Sequence, residues 1–125
     1  MRLTKRTHPA TGEVCYQHVD RSPPVQLQAR EVHGVHGDPF LDLLVCADRV
    51  EIHRGWCFSS GHMEHYEEEV ELVVRRQPDG WPGSLRSALA ERFGEEVASA
   101  VEAALADEAA FGPRPDSPGA ERMGG

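Results

Sequence analysis

The sequence predicts an α+β domain: an antiparallel sheet of four to five strands, with C-terminal helices packed on one of its faces. Three patterns predict it. From residue 50, apolar Val50, Ile52, Trp56 and Phe58 alternate with Glu51, His53, Gly55 and Cys57, and Arg54 interrupts the apolar side. Further on, Tyr66, Val70, Leu72 and Val74 alternate with His65, Glu67, Glu69 and Glu71, and Glu68 interrupts. Successive side chains of a strand point to opposite faces, so each run reads as a half-buried strand. After residue 84 the period changes to three and four, with stripes Leu85, Ala88, Leu89, Phe93 and Val97, Ala100, Val101, Ala104, Leu105, the mark of amphipathic helices.

The chain opens with a hairpin turning at Pro9-Ala10-Thr11-Gly12, whose second strand alternates through Val14, Tyr16 and His18. Pro23-Pro24 marks a loop, since neither proline suits a central strand. Val25, Leu27 and Ala29 alternate as a strand that ends irregularly near Gly34 and Gly37. Asp38-Pro39 opens the central sheet. A tight turn at Ala47-Asp48 sets Val45 opposite Val50, Leu43 opposite Ile52 and Asp42 opposite His53. Ala-Asp is a poor type I′ pair, so the pairing is better specified than the turn type. A loop at Ser60-Gly61-His62 then sets Trp56 opposite Tyr66, Ile52 opposite Val70 and Arg54 opposite Glu68. On the polar face this register aligns Asp42, His53 and Glu69. Trp81 sits in a turn-rich segment and is expected to pack back on the core. Ser84 is the expected N-cap of the first helix, Gly94 its end or bend, and Glu95-Glu96 a new first turn. Residues 1–111 form one domain, and 112–125 a Pro/Gly-rich disordered tail.

At 125 residues the chain is one domain's worth, long enough to bury a core without staples. Its net charge of −8 falls entirely after residue 61: the first 61 residues carry seven basic and seven acidic groups. An acidic surface disfavours nucleic acid and anionic membranes and favours a basic protein partner. Three cysteines without a signal-like segment point to a reducing cytoplasm.

Two functional readings follow. The first is a non-enzymatic accessory or inhibitory module that recognises a basic patch on a protein, with Glu51, Glu67, Glu69 and Glu71 as contacts on the outer sheet face. The alternative is a small zinc-binding domain. Cys57, His62 and His65 gather around one loop, and thiolate and imidazole are natural zinc ligands. His53 is excluded from that site, being about 13 Å from Cys57 along the strand. The Asp42–His53–Glu69 row has no nucleophile beside it, which leaves an enzymatic reading a distant third. Trp56-Cys57-Phe58-Ser59 resembles the start of a thioredoxin-like motif, but the alternation continues as a strand where that chemistry needs a helix N-terminus. The Gly124-Gly125 end resembles that of ubiquitin-like and sulfur-carrier proteins, on those two residues alone.

Overall fold

The computed structural model describes residues 3–112. The strands are β1 (Thr4–Thr7), β2 (Val14–Asp20), β3 (Arg30–Val32), β4 (Val35–Val45), β5 (Arg49–Ser60) and β6 (Met63–Arg75). The helices α1 (Ser84–Phe93) and α2 (Glu95–Ala106) follow, then a 3₁₀ turn, Glu108–Phe111. One antiparallel sheet holds all six strands in the order β1-β2-β4-β5-β6, with β3 paired to the first part of β4. The fold is α+β. The tail from residue 113, including Gly124-Gly125, lies outside the described residues. No helix among the described residues is long and apolar enough to cross a membrane.

The β4–β5 pairing follows the hydrophobic alternation. Val45 pairs with Val50, Leu43 with Ile52 and Asp42 with His53. Cys46 donates its N–H to the Arg49 carbonyl at 2.8 Å around Ala47-Asp48, which both keep negative φ and so do not form a type I′ turn. On one face, Leu41, Leu43, Val45, Val50, Ile52 and Val74 join Leu85, Leu89, Phe93, Val97, Ala98, Val101 and Phe111 in a single buried cluster. Trp81 packs against it, as its position in a tight loop suggests. Burying each large aliphatic there contributes about 1.5–3 kcal/mol. Gly94, at φ 97° and ψ 167°, separates the helices and donates its N–H back to Ala90. Glu95 and Glu96 occupy the first turn of α2.

Four expectations are corrected. First, the β5–β6 hairpin closes on a two-residue turn, Gly61-His62, with Ser60 paired to Met63. Gly61 takes φ 61° and His62 a negative φ, the pattern of a type II′ turn, whose twist matches the strands better than a three-residue loop. Trp56 therefore pairs with Glu67, Cys57 with Tyr66, Gly55 with Glu68 and Arg54 with Glu69. A bulge then inserts Glu71, so that His53 pairs with Val70 but Ile52 with Leu72. Leu72 and Val74 keep their expected face; Tyr66 and Val70 move to the other. Second, β4 begins at Val35, because His33 (φ 51°) and Gly34 (φ 76°) form a tight turn that pairs Val32 with Val35. Pro39 lies inside β4 without conflict. The outer side of β4 is paired by β3 through Gly37 and by β2 from Leu41, so the proline falls in the gap. Third, residues 25–29 are not a strand; Val25 and Leu27 pack on the core from irregular backbone. Fourth, Ser84 is the first helical residue, and Gly83 is the N-cap, with no side-chain cap.

Candidate functional site

The face opposite the core cluster carries Cys15, Gln17 and Val19 of β2, Asp42 and Leu44 of β4, Glu51 and His53 of β5, and Glu68 and Val70 of β6. Between this face and the β1–β2 loop lies a cavity of about 460 Å³, lined by Cys15, Gln17, Asp42, Leu44, Glu51, His53 and Glu68 and also by Arg6, Thr7, His8, Pro9 and Ala10. Strands β1, β2, β4, β5 and β6 all contribute to it.

Glu51 is the polar centre. It is 8% exposed and accepts hydrogen bonds from Arg49 Nε (2.7 Å), His53 Nε2 (2.8 Å) and His8 Nε2 (3.1 Å). Burial pushes its carboxyl up, but the bonds from His53, Arg49 and His8 outweigh this and hold it below the usual range. Arg49 also pairs with Glu13 at 2.7 Å, so two side chains tie the β1–β2 loop to β5. The loop sets the state of His8. Backbone N–H groups of Ala10 (3.1 Å) and Thr11 (3.3 Å) both donate to Nδ1, which leaves Nε2 as the protonated nitrogen that donates to Glu51.

Beside this network lies a second carboxyl pair. Asp42, 6% exposed, takes both bonds of Gln17 Nε2, at 2.8 and 3.0 Å. Glu68 stands next to it. Burial, then the hydrogen bond and negative charge of Asp42, push the Glu68 carboxyl up to about 7, with His53 pulling the other way. Neither Asp42 nor Glu68 is ion-paired to a lysine or arginine among the described residues. Next along the sheet, the Phe40 ring lies over Gly55, where any Cβ would collide with it, and meets the Tyr66 ring at 6.3 Å. That contact joins β4 and β6 across Gly55.

No protein-family model matches the chain, and no curated protein or solved structure matches it. The chemistry of the site carries the reading instead.

The residues expected to form a zinc site are not brought together. Cys57 is buried on the cavity side, opposite Tyr66, whereas His65 pairs with Phe58 and points to the other face. His62 sits exposed at the hairpin tip. Among the described residues the one trio with ligand atoms within 4.8 Å of one another is His8, Cys46 and Glu51. It does not suit a cation. His8 Nε2 carries its proton, burial pushes the Cys46 thiol up to about 12, and the Arg49 guanidinium already bonds the carboxylate.

The expected acidic row is also redistributed. Glu51 is buried and fully engaged. Glu67 and Glu69 pair with Trp56 and Arg54, on the core side of the sheet. Glu67 lies 3.7 Å from Arg30, and Glu71 reaches Arg54 at 2.8 Å and Arg92 of α1 at 3.5 Å. Of Glu67, Glu68 and Glu69, the one on the polar face is Glu68. Asp42 opposite His53 is as expected, but Val70, not Glu69, completes that row. Sequence reasoning missed His8, Glu13 and Gln17. Gln17 was recoverable, since it alternates with Tyr16 and so shares a face with Cys15.

Proposed function

We propose that this chain is a non-catalytic binding module for a partner that presents a basic group, and that the cation is captured over Asp42 and Glu68. The observation that supports this is the carboxyl pair itself. Two acids line one open cavity; burial and then the neighbouring Asp42 keep Glu68 short of full ionisation, and neither acid is paired to a lysine or arginine among the described residues. An arriving ammonium or guanidinium would offset the repulsion, let Glu68 ionise and replace its proton with a charge-assisted pair. The formal charge of −8 adds a long-range attraction for a basic partner. Three free thiols fit a reducing compartment such as the cytoplasm.

Capture of this kind releases a proton, so affinity rises with pH through the Glu68 titration. NMR titration with the tripeptide Gly-Arg-Gly tests it. Shifts centred on Asp42, His53 and Glu68 are expected, several-fold tighter at pH 8 than at pH 5.5 and lost in Asp42→Asn. Shifts confined to the helices, or an affinity indifferent to Asp42→Asn, would overturn the reading.

A further inference from the structure

We propose that the free edge of β6 accepts an extended, basic segment of a partner protein as an added strand. The idea rests on the cation-capture reading and says how the cation is delivered. β6 is 13 residues long and ends the sheet: β5 pairs with one side, and no described strand pairs with the other. A two-residue turn closes on a hydrogen-bonded pair, here Ser60 and Met63. Bonded and unbonded pairs alternate from there, so Met63, His65, Glu67 and Glu69 direct their backbone groups to β5. Glu64, Tyr66, Glu68 and Val70 direct theirs outward. An open edge of this length is a template for another strand.

The side chains of the outward-directed residues lie on the cavity face. Tyr66 is 49% exposed and Val70 57%, large apolar groups on either side of Glu68. Glu67 and Glu69 flank the same stretch on the opposite face. The carboxylates discriminate between occupants. Two copies of β6 pairing with each other would bring like charges together, whereas a basic strand meets opposite charge. Residues 66–70 read apolar-acid-acid-acid-apolar, so the complementary strand reads apolar-basic-basic-basic-apolar. Its central cation falls beside Glu68, at the mouth of the cavity; its flanking cations face Glu67 and Glu69; its apolar residues cover Tyr66 and Val70.

The probe is an acetylated, amidated heptapeptide, Thr-Val-Lys-Lys-Lys-Val-Thr, followed by amide hydrogen exchange. The amides of Tyr66, Glu68 and Val70 should slow at least tenfold when it binds, while the inward amides of Glu67 and Glu69 change little. V70P removes one outward N–H and leaves the pairing to β5, which retained protection at Glu67 and Glu69 verifies. It should abolish heptapeptide binding, whereas V70T keeps it. Gly-Arg-Gly, too short to pair along the edge, should bind V70P and wild type alike. Heptapeptide binding unchanged in V70P, or binding without protection of the outward amides, overturns strand addition and leaves cation capture standing. Failure of Gly-Arg-Gly with edge protection by the heptapeptide would retain strand addition and remove capture in the cavity. Concentration-dependent self-association that displaces the heptapeptide would assign the edge to a second copy, whose exposed β1 carries Lys5 and Arg6, and would overturn the proposal.

Discussion

Asp42 and Leu43 are neighbours on β4, each almost closed to solvent, and they lie on opposite faces of one sheet. Leu43 is surrounded by carbon: a cluster shared by three strands and two helices, where volume matters and direction does not. Asp42 is surrounded by groups that must be aimed, with Gln17 donating to both its oxygens and Glu68 competing for its charge. The same degree of burial therefore means different things on the two faces. On the core face it stabilises. On the cavity face it must be offset by hydrogen bonds, as Gln17 does for Asp42, and the neighbouring Glu68 carboxyl is pushed up beside that buried charge.

The strongest way to break the comparison is to remove the same order of substance from each face. Leu43→Ala should lower stability by about 3 kcal/mol, read from the denaturant midpoint, because a fully buried leucine leaves a cavity. Asp42→Asn keeps the volume and should cost about 1 kcal/mol or less while removing cation capture. If both variants unfold alike, the cavity face is a second core rather than a site.

Glu51 sharpens the contrast inside the cavity face. Glu51→Gln leaves one acceptor oxygen for three donors and puts an N–H₂ against the others, an expected cost of about 2 kcal/mol. The amides of Ala10 and Thr11 should exchange faster in that variant, since His8 loses the anchor that holds their loop. An unchanged loop would mean that Arg49–Glu13 suffices to tie it down.

The smallest expected effect is the pH dependence of Glu68. Its folded value is raised to about 7, so the folded state holds a proton that the unfolded state gives up near 4.5. Stability should fall as pH rises between these values, the direction linkage requires when the native state binds more protons. Glu68 is still more than a third exposed, and solvent screening keeps the change small. Glu68→Gln should flatten the profile from pH 4.5 to 7.5. Acidification below that window acts through Glu51 with the opposite sign, because its lowered carboxyl is then protonated and releases its three donors.

The two faces were also unequally legible in the sequence. Core positions on β4 and β5 announce themselves by alternation, and a tight turn fixes their register, so Leu43, Val45, Val50 and Ile52 could be placed in advance. The cavity depends on two local choices that alternation cannot see. One is the two-residue turn at Gly61-His62, since Ser60 is as polar as the turn itself. The other is the bulge at Glu71, one glutamate among five acids in a short run, with nothing to distinguish the extra residue. The turn moved Glu68 from an expected partnership with Arg54 to the side of Asp42 and separated Cys57 from His65, and the bulge returned Leu72 and Val74 to the core face. His8 was hidden for another reason: its role comes from a loop folding back over 43 residues of chain to Glu51. Periodicity carries no information about such contacts.

The bulge has a consequence for changes in chain length. Glu71 is held by Arg54 of β5 and Arg92 of α1, so the point where β6 reverses its facing is clamped in place from two sides. An insertion at the hairpin tip, beside Gly61, could extend the loop and leave every pairing below it untouched. A single-residue deletion between the tip and Glu71 could not be absorbed that way. The clamp would hold the far half of β6 while the near half slid by one, exchanging Glu68 for a neighbour of opposite facing. Such a variant would fold around the same core but set Glu69 where Glu68 stood and turn Tyr66 and Val70 from the cavity face, whereas one lengthened at the tip would keep the present facing.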